Sequence, residues 1–239
     1  MFSLIVQGAN NQSIKLAFPA DPDSNVNMKW AELIYTDAFL RININFSYIV
    51  LPVVRASRMT DSGVLDGEAL RVEHYGLGHP NLIRIEEPIS TTHIGVFASN
   101  PLIEIKSWQD VVSSQYKIDY YRGNYLVPKR LSQSKYPDNI NDSSAPIDSL
   151  HKLGRGRIDL YIAADRITND VLNTPEFADK KIKMITTLEK IHIYGYLHQR
   201  HSELTVRLAD IFRKMKVEGK FEEYLKQANQ FMASQTVPK

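Results

Sequence analysis

The sequence contains no cysteine, no long hydrophobic run and no cluster of charges of one sign. Without cysteine the chain can form no disulfide, no thiolate metal site and no cysteine nucleophile, an absence that suits an oxidising compartment. No basic run exceeds two residues and the formal net charge is +2, so the footprint typical of nucleic-acid binding is absent. No apolar run approaches the ~18 residues that a membrane-spanning helix needs.

The residues that are present are those of an ordinary soluble globular protein. Of 239 residues, 43% are hydrophobic and 23% are charged, enough for one large domain or two small ones. Short runs rich in β-branched and aromatic residues alternate with segments whose apolar residues recur at helical spacing. This order occurs at the start of the chain and again in its middle, and it predicts two α/β lobes with mainly parallel sheets.

Local signals predict where several elements begin and end. The predicted boundaries are a strand Ile14–Ala20 ended by Pro19, a helix capped by Ser107, a helix from Pro146 to Gly154, a helix from about Thr168, and a long amphipathic C-terminal helix broken at Gly219. Ser107 is a good cap because its side chain can accept from free amides of the first turn. Pro146 fits a first helical position because its missing N–H would have no partner there.

The first twelve residues, MFSLIVQGANNQ, hold a short apolar run followed by small and amide residues. They fit the tail of a secretory signal peptide and fit an N-terminal extension equally well. The run is short and lacks a basic start, so these residues do not form a complete signal.

Five segments follow one another in an order that resembles a known family. They are KLAFPA, VLPVVRASRMTDSGVLDGEALRV, NLIRIEEPI, LHKLGRGRIDLYIAAD and LADIFRKMKVEGKFEEYLKQ, and together they cover about residues 14 to 230. The chain is similar to the bacterial extracellular solute-binding proteins of family 3, which have the type II periplasmic-binding fold and include amino-acid receptors of ABC transporters. Within that family it resembles a branch marked here by Pro52, Arg55, Gly63, Asp66, Gly67 and Arg71.

The resemblance implies an α/β fold with two lobes, each a mainly parallel sheet flanked by helices. Lobe 1 would comprise residues 1–92 and 189–239, and lobe 2 residues 93–188. Two crossovers, near 90–93 and 188–191, would form a hinge. Ligands of open α/β sheets bind outside the carboxyl ends of the strands. The candidate ligand-binding residues are Asp21, Arg55, Gly67, Glu68, Arg71, Thr91, Arg122, Gly123, Asn124 and Asp165.

Arg71 is the principal candidate because a guanidinium grips a carboxylate with two parallel hydrogen bonds. The resemblance implies that it would bind a ligand carboxylate; the alternative is that it pairs with Glu68 or Asp66. Glu68 could accept from a ligand amine, but a solvated carboxylate at a strand end is the simpler interpretation. Asp66 and Gly67 are more simply interpreted as shaping the turn, with Gly67 permitting close backbone approach.

The other candidates have similar alternatives. Arg55 and Arg58 lie one helical turn apart, and pairing with Asp61 competes with a place in the cleft. Arg122, Gly123 and Asn124 form a strand-to-helix turn, which in the family supplies donors to the ligand carboxylate. The family often has threonine or serine after this glycine, where the present chain has Asn124 and Tyr125.

In the family an aspartate binds the ligand amine, and here either Ala164 or Asp165 takes its place. The uncertainty arises because DLYIAAD is one residue longer than the usual spacing.

The function implied is a periplasmic, monomeric solute-binding protein. It would capture a small polar, carboxylate-bearing solute by hinge closure and deliver it to a membrane permease of an ABC transporter. It would bind no nucleic acid and would need no cofactor or metal. Two alternatives stay open. One is a sensory ligand-binding protein of the same fold with a signalling partner. The other is a dehydratase-like enzyme that would use Glu68 or Asp165 as its general acid or base.

Overall fold

The computed structural model describes residues 13–122, 124 and 126–235. The strands are β1 (Ser13–Phe18), β2 (Asn45–Val50), β3 (Gly67–Val72), β4 (Leu82–Arg84), β5 (Ser90–Ala98), β6 (Ile118–Tyr121), β7 (Ile140–Ser143), β8 (Leu160–Ala164) and β9 (Lys183–His198). The helices are α1 (Val26–Leu40), α2 (Val53–Asp61), α3 (Trp108–Ser113), α4 (Leu126–Leu131), α5 (Pro146–Gly154), α6 (Asp165–Leu172), α7 (Ser202–Val217) and α8 (Lys220–Gln235).

The described residues divide into two compact units. Unit 1 is residues 13–90 and 192–235, and unit 2 begins at Thr91 and ends at Ile191. Strands β5 and β9 each begin in one unit and end in the other. Within the described residues, no helix combines the length and the apolar character needed to cross a membrane.

Unit 1 is built on a mixed sheet in the order β2-β1-β3-β9, with β4 also paired to β9. Strand β1 pairs in parallel with β2 and β3, whereas β9 runs antiparallel to β3 and β4. Parallel strands need covering on both faces, and helices of this unit supply that cover. Because β1, β2 and β3 run parallel to one another, their carboxyl ends lie along one edge of the sheet.

The core of unit 1 is strongly aromatic. Phe18, Tyr35, Phe39 and Phe212 are fully buried, and Tyr35 stacks on Phe39 with 6.1 Å between ring centroids. The indole N–H of Trp30 donates to a backbone carbonyl of α8 at 2.7 Å, which ties α1 to the C-terminal helix. The buried residues of α7 are the ones expected for an amphipathic helix packed on a core.

Unit 2 has the sheet order β9-β5-β8-β6-β7. Strand β6 is parallel to β7 and β8, and β5 is antiparallel to β8. Its core contains Phe97, Leu150, Leu153 and Tyr161 in full burial. Edge strand β7 leads directly into α5, whose buried residues pack against this sheet.

Most of the predicted boundaries are confirmed. β1 ends at Phe18, just before Pro19; Ser107 caps α3 by accepting from the Asp110 amide at 3.2 Å; α5 runs from Pro146 to Gly154; and Gly219 has a φ of 72° between α7 and α8. The predicted start of the next helix at Thr168 is wrong, because α6 begins at Asp165. Asp165 makes hydrogen bonds that fix the start of that helix, as described below.

Close packing of Gly195 against Tyr35 yields a first prediction. A Cβ at Gly195 would lie 2.1 Å from the Tyr35 hydroxyl oxygen, and that hydroxyl is buried and donates to the Ala69 carbonyl at 2.8 Å. Since Tyr35 has no room to move, Gly195→Ala should lower the free energy of unfolding by about 1–3 kcal/mol. Urea denaturation measures this change.

Gly78→Ala is the matched control in the same unit. A Cβ at Gly78 meets no atom within 4 Å, so this variant should stay within about 0.5 kcal/mol of the parent. Equal stability of the two variants would contradict the packing described for Tyr35.

Candidate functional site

Unit 1 holds a buried group of polar side chains where its parallel strands end. We call Ser57, Glu68, Arg71 and Tyr75 the β3 cluster. In the strand register Glu68 lies beside Ala17, one residue before the end of β1, and the rest of β3 continues beyond that edge. Ser57 comes from α2 and Tyr75 from the turn after β3.

A bulge in β3 makes the central contact of this cluster. Glu68 pairs with Tyr196 and Arg71 with Tyr194, so four residues of β3 lie opposite three of β9. In a regular strand, residues three apart point to opposite faces. The extra residue turns Arg71 to the side of Glu68, and the Arg71 Nη2 group donates to Glu68 Oε2.

Both charged side chains are buried. The Glu68 side chain is 1% exposed and that of Arg71 is 10% exposed. The guanidinium carbon of Arg71 also lies 5.1 Å from the centroid of the Tyr75 ring. Buried charges are tolerated only when they are paired and hydrogen-bonded, so each of these groups depends on the other.

Tyr75 completes the coordination of Glu68. Its hydroxyl donates to Glu68 Oε1, and the hydroxyl oxygens of Tyr75 and Ser57 are 2.5 Å apart. Burial and the bond to the Glu68 carboxylate raise the pKa of Tyr75 to about 12. Tyr75 therefore stays a neutral donor at physiological pH, and both oxygens of Glu68 are occupied.

One donor of the cluster is unused. Within the described residues, the buried Nε of Arg71 has no hydrogen-bond partner. A buried donor without a partner costs free energy comparable to a lost hydrogen bond. The cluster therefore holds a guanidinium with one donor, its Nε–H, that no described residue satisfies.

These positions revise two predictions. The interpretation of Glu68 as a solvated carboxylate is wrong, because the bulge encloses it beside Arg71. Gly67 lies level with Leu16, inside the sheet and not at its edge. A Cβ there would lie 2.3 Å from the Tyr196 carbonyl oxygen, so the predicted close approach of backbone is confirmed. For Arg71, the ion pair with Glu68 is present, and ligand contact stays a prediction.

Asp66 directly precedes Gly67 in the chain and has a separate role. Its carboxylate accepts from the Lys15 amide at 2.8 Å, from Arg200 Nη2 at 2.5 Å and from His201 Nε2 at 2.7 Å. Burial alone would raise the pKa of Asp66, but these bonds outweigh it and hold the pKa below its usual range. Asp66 thus joins β1, β3 and the start of α7, and it does not pair with Arg71.

In unit 2, Asp165 is the first residue of α6, directly after β8 ends at Ala164. Its Oδ1 accepts from the Thr92 hydroxyl at 2.8 Å and from the amides of His93 and Arg166, and its Oδ2 accepts from His93 Nδ1 at 2.9 Å. Burial alone would raise the pKa of Asp165, yet the bonds from His93, Thr92 and the Arg166 amide hold it below the ordinary value. Asp165 therefore ties β5 to the start of α6.

The turn after β6 is also occupied by local contacts. Arg122 is exposed and pairs with Asp142, with 2.6 Å between Nη2 and Oδ1. Asn124 caps α4, since its Oδ1 accepts from the amides of Leu126 and Val127 at 2.9 and 3.0 Å. Gly123 lies outside the described residues.

The remaining candidates in unit 1 are more exposed. Asp21 caps a short 3-10 turn by accepting from the Asp23 amide at 3.0 Å. Arg55 is exposed near the start of α2, and the predicted alternative of an Arg55 or Arg58 ion pair with Asp61 is wrong across the described residues. In unit 2, Thr91 is half-buried at the start of β5.

Four side chains of these clusters were not predicted from the sequence: Ser57, Tyr75, Thr92 and His93. Ser57 and Tyr75 meet Glu68 through tertiary packing, and no local pattern indicates such contacts. Thr92 and His93 lie within the predicted crossover near 90–93, and this is the only sequence signal for them. In the described part of the chain, no group of three metal-ligating side chains could hold a metal ion.

The described fold is that of the type II periplasmic binding proteins. A histidine kinase sensor domain with similarity to periplasmic binding proteins matches with a TM-score of 0.68 and 12% identity, over 91% of this chain and 95% of that one. An ancestral arginine-binding protein bound to arginine gives 0.65 and 12%, over 90% and 97%. The BvgS periplasmic VFT2 domain of Bordetella pertussis gives 0.65 and 14%, over 92% and 94%. The resemblance predicted from the sequence is thus confirmed as a likeness of fold.

Sequence comparison adds a family relationship. No family model matches the chain. An uncharacterized protein of Shewanella oneidensis is 44% identical over 219 residues, which are 92% of this chain and 83% of that protein. The chain belongs to the same family as this Shewanella protein.

The Glu68–Arg71 pair yields a prediction on stability. Arg71→Ala leaves a buried carboxylate without its cation and should lower the free energy of unfolding by about 3–5 kcal/mol. The double variant Glu68→Gln with Arg71→Ala removes both charges and should recover part of this loss, giving a coupling of about 1–3 kcal/mol. Urea denaturation of the parent, both single variants and the double variant measures the cycle.

Lys220→Ala is the control for loss of a charge from an exposed pair, because Lys220 pairs with Glu223 at the surface. It should leave the free energy of unfolding nearly unchanged. Additive single changes at Glu68 and Arg71, with no coupling, would contradict the pairing.

Asp165 yields a prediction on pH. Because its pKa is lowered in the folded state, its contribution to stability is present above the unfolded aspartate pKa of about 3.9 and is lost as the pH falls below it. Asp165→Asn should lower Tm by roughly 3–6 °C at neutral pH, and the difference from the parent should shrink near pH 3. Thermal unfolding followed by circular dichroism across this range measures it.

Asp179→Asn, at an exposed position in the same unit, is the control and should behave like the parent at every pH. A difference between Asp165→Asn and the parent that stays constant with pH would refute the role of the ionised carboxylate.

Proposed function

We propose that the protein is a periplasmic receptor that captures a small polar, carboxylate-bearing solute resembling an amino acid. It would act without cofactor and without catalysis, and would deliver the solute to the permease of an ABC transporter. The fold supports a ligand-binding role, and the similar structures include an ancestral arginine-binding protein bound to arginine. The observation that carries the proposal is the unused Nε–H of Arg71 in the β3 cluster.

Arg71 is suited to anchoring a ligand because its position is fixed before any ligand arrives. Glu68 holds Nη2 and the Tyr75 ring covers the guanidinium, so binding would cost little side-chain entropy. A carboxylate oxygen at Nε would satisfy a donor that otherwise stays buried and unpaired. Hydrogen bonds of this charged kind are about twice as strong as neutral ones.

Glu68 narrows the class of solute. It already neutralises Arg71, so a ligand that brings only negative charge would meet a site with no net positive charge. A zwitterion carries its own ammonium group, so it avoids the repulsion that the Glu68 carboxylate would exert on a purely anionic ligand. The β3 cluster therefore favours amino-acid-like solutes over dicarboxylates.

The remaining candidates keep supporting roles in this proposal. Asp165 is the proposed acceptor for the ligand ammonium, since His93 is the only partner of its Oδ2 in the described residues. Arg122, Gly123 and Asn124 in unit 2, and Asp21, Arg55 and Gly67 in unit 1, are proposed to shape or contact the solute. Thr91 is proposed as a further polar contact.

A thermal-shift screen tests the proposal. The refolded protein, stripped of any carried ligand, is screened against amino acids, dicarboxylates, polyamines and sugars. A ligand present at 100 times its Kd should stabilise the protein by about 2.7 kcal/mol. We expect the hit to be an amino acid, and its analogue without the amino group to bind at least about tenfold more weakly.

Arg71→Lys is the informative variant because it keeps a positive charge beside Glu68 but removes the planar guanidinium group and its Nε–H donor. It should stay folded and weaken the hit at least about tenfold. Arg207→Ala, a loss of an exposed arginine in the same unit, should leave binding unchanged. A folded protein with no hit, or a hit that Arg71→Lys leaves intact, would overturn the proposal.

A sensory role is the second candidate, and two of the similar structures favour it. One is a histidine kinase sensor domain and another is the BvgS VFT2 domain. The same solute would then control a signalling partner instead of supplying a permease. Cross-linking in the native host, with and without the solute, separates the two roles by the partner that is recovered.

A further inference from the structure

Unit 2 contains an open basin of about 460 Å³ on the side of α5. Cationic side chains dominate its lining: Arg122, Lys152, Arg155 and Arg157 contribute to it, against the two carboxylates Asp142 and Asp148. Ser143, Ser144 and His151 also line it. The solute-binding role proposed above uses none of these residues except Arg122.

The motif GRGR, Gly154–Arg157, builds one wall of this basin. α5 ends at Gly154, and the chain then turns through Gly156, whose φ is 65°. Within this turn the Arg157 amide donates to the Lys152 carbonyl at 2.9 Å. Glycine adopts such a left-handed conformation at no steric cost. The turn thereby brings Arg155 and Arg157 to the same basin.

The charges of the basin are only partly neutralised. Arg122 pairs with Asp142, and Lys152 pairs with buried Asp119 at 2.8 Å. Among the described residues, Arg155 and Arg157 form no ion pair, and both are exposed. Two guanidinium groups thus face the basin with all their side-chain donors available.

The floor of the basin is rigid and polar. Lys152 Nζ donates to Ser143 Oγ at 2.8 Å, and Ser143 Oγ donates to Asp119 Oδ2 at 2.6 Å. Ser143 and Asp119 are both buried, so this floor is fixed by packing. Cations near the end of a helix also favour its dipole, which accounts for Lys152 and Arg155. That effect fades within the last turn and does not account for Arg157, which lies three residues beyond Gly154.

We infer that this basin binds a phosphate group, either free or as a monoester. Arginine forks match the tetrahedral oxygens of phosphate, and a dianion satisfies the two unpaired guanidinium groups at once. The volume exceeds what a single phosphate ion needs, so the organic part of a monoester has room. This site shares only Arg122 with the residues proposed to contact the solute, and Arg122 is already paired with Asp142.

Isothermal titration calorimetry at constant ionic strength tests the inference. Sodium phosphate and glycerol phosphate are titrated separately into the full chain, with sodium chloride as the blank. We expect saturable binding with a Kd below about 1 mM for at least one of them. Tighter binding of glycerol phosphate would identify a monoester, and equal binding would identify the free ion.

Arg155→Ala with Arg157→Ala should weaken the binding at least about tenfold without lowering Tm, because both side chains are exposed and unpaired. Arg58→Ala with Lys226→Ala removes two exposed cations from unit 1 and should leave it unchanged. No saturable heat up to about 10 mM of either probe, or equal weakening by both double variants, would overturn the inference.

Discussion

The ion pair between Glu68 and Arg71 is the contact on which the proposed site depends. Two charges enter the interior of unit 1 together, and the pair is stable only because a bulge places both on one side of β3. Tyr75 then occupies the second oxygen of Glu68, and Ser57 of α2 lies against Tyr75. The arrangement fixes Arg71 and leaves its Nε–H unused at the carboxyl edge of the sheet.

Much of the fold could be predicted because its signals are local. Pro19, Ser107, Pro146 and Gly219 act on the backbone within a few residues, through a missing N–H, a capping hydroxyl or a positive φ. The α/β class follows from the alternation of strand and helix patterns. The order of the sequence segments predicts the type II fold. Similar structures at 12–14% identity confirm this fold.

The site could be predicted only in part. The position of Arg71 near the end of a strand can be predicted from the sequence, but the burial of Glu68 depends on β9, more than a hundred residues later in the chain. No local pattern reveals a bulge that arises between two distant strands. Asp165 is similar: its contacts with Thr92 and His93 form only when β5 and β8 pair, and these contacts set the start of α6.

The central claim is that the fixed guanidinium of Arg71 binds the solute, and an NMR spectrum of the arginine Nε–H groups tests it most directly. The signal of Arg71 is assigned by its loss in Arg71→Lys, and the solute that stabilises the protein most in the thermal screen is then added. If Arg71 binds the solute, its Nε–H signal should move downfield as the new hydrogen bond forms, while that of Arg207 stays in place. A solute that binds in saturable fashion and leaves the Arg71 signal unmoved would contradict the account.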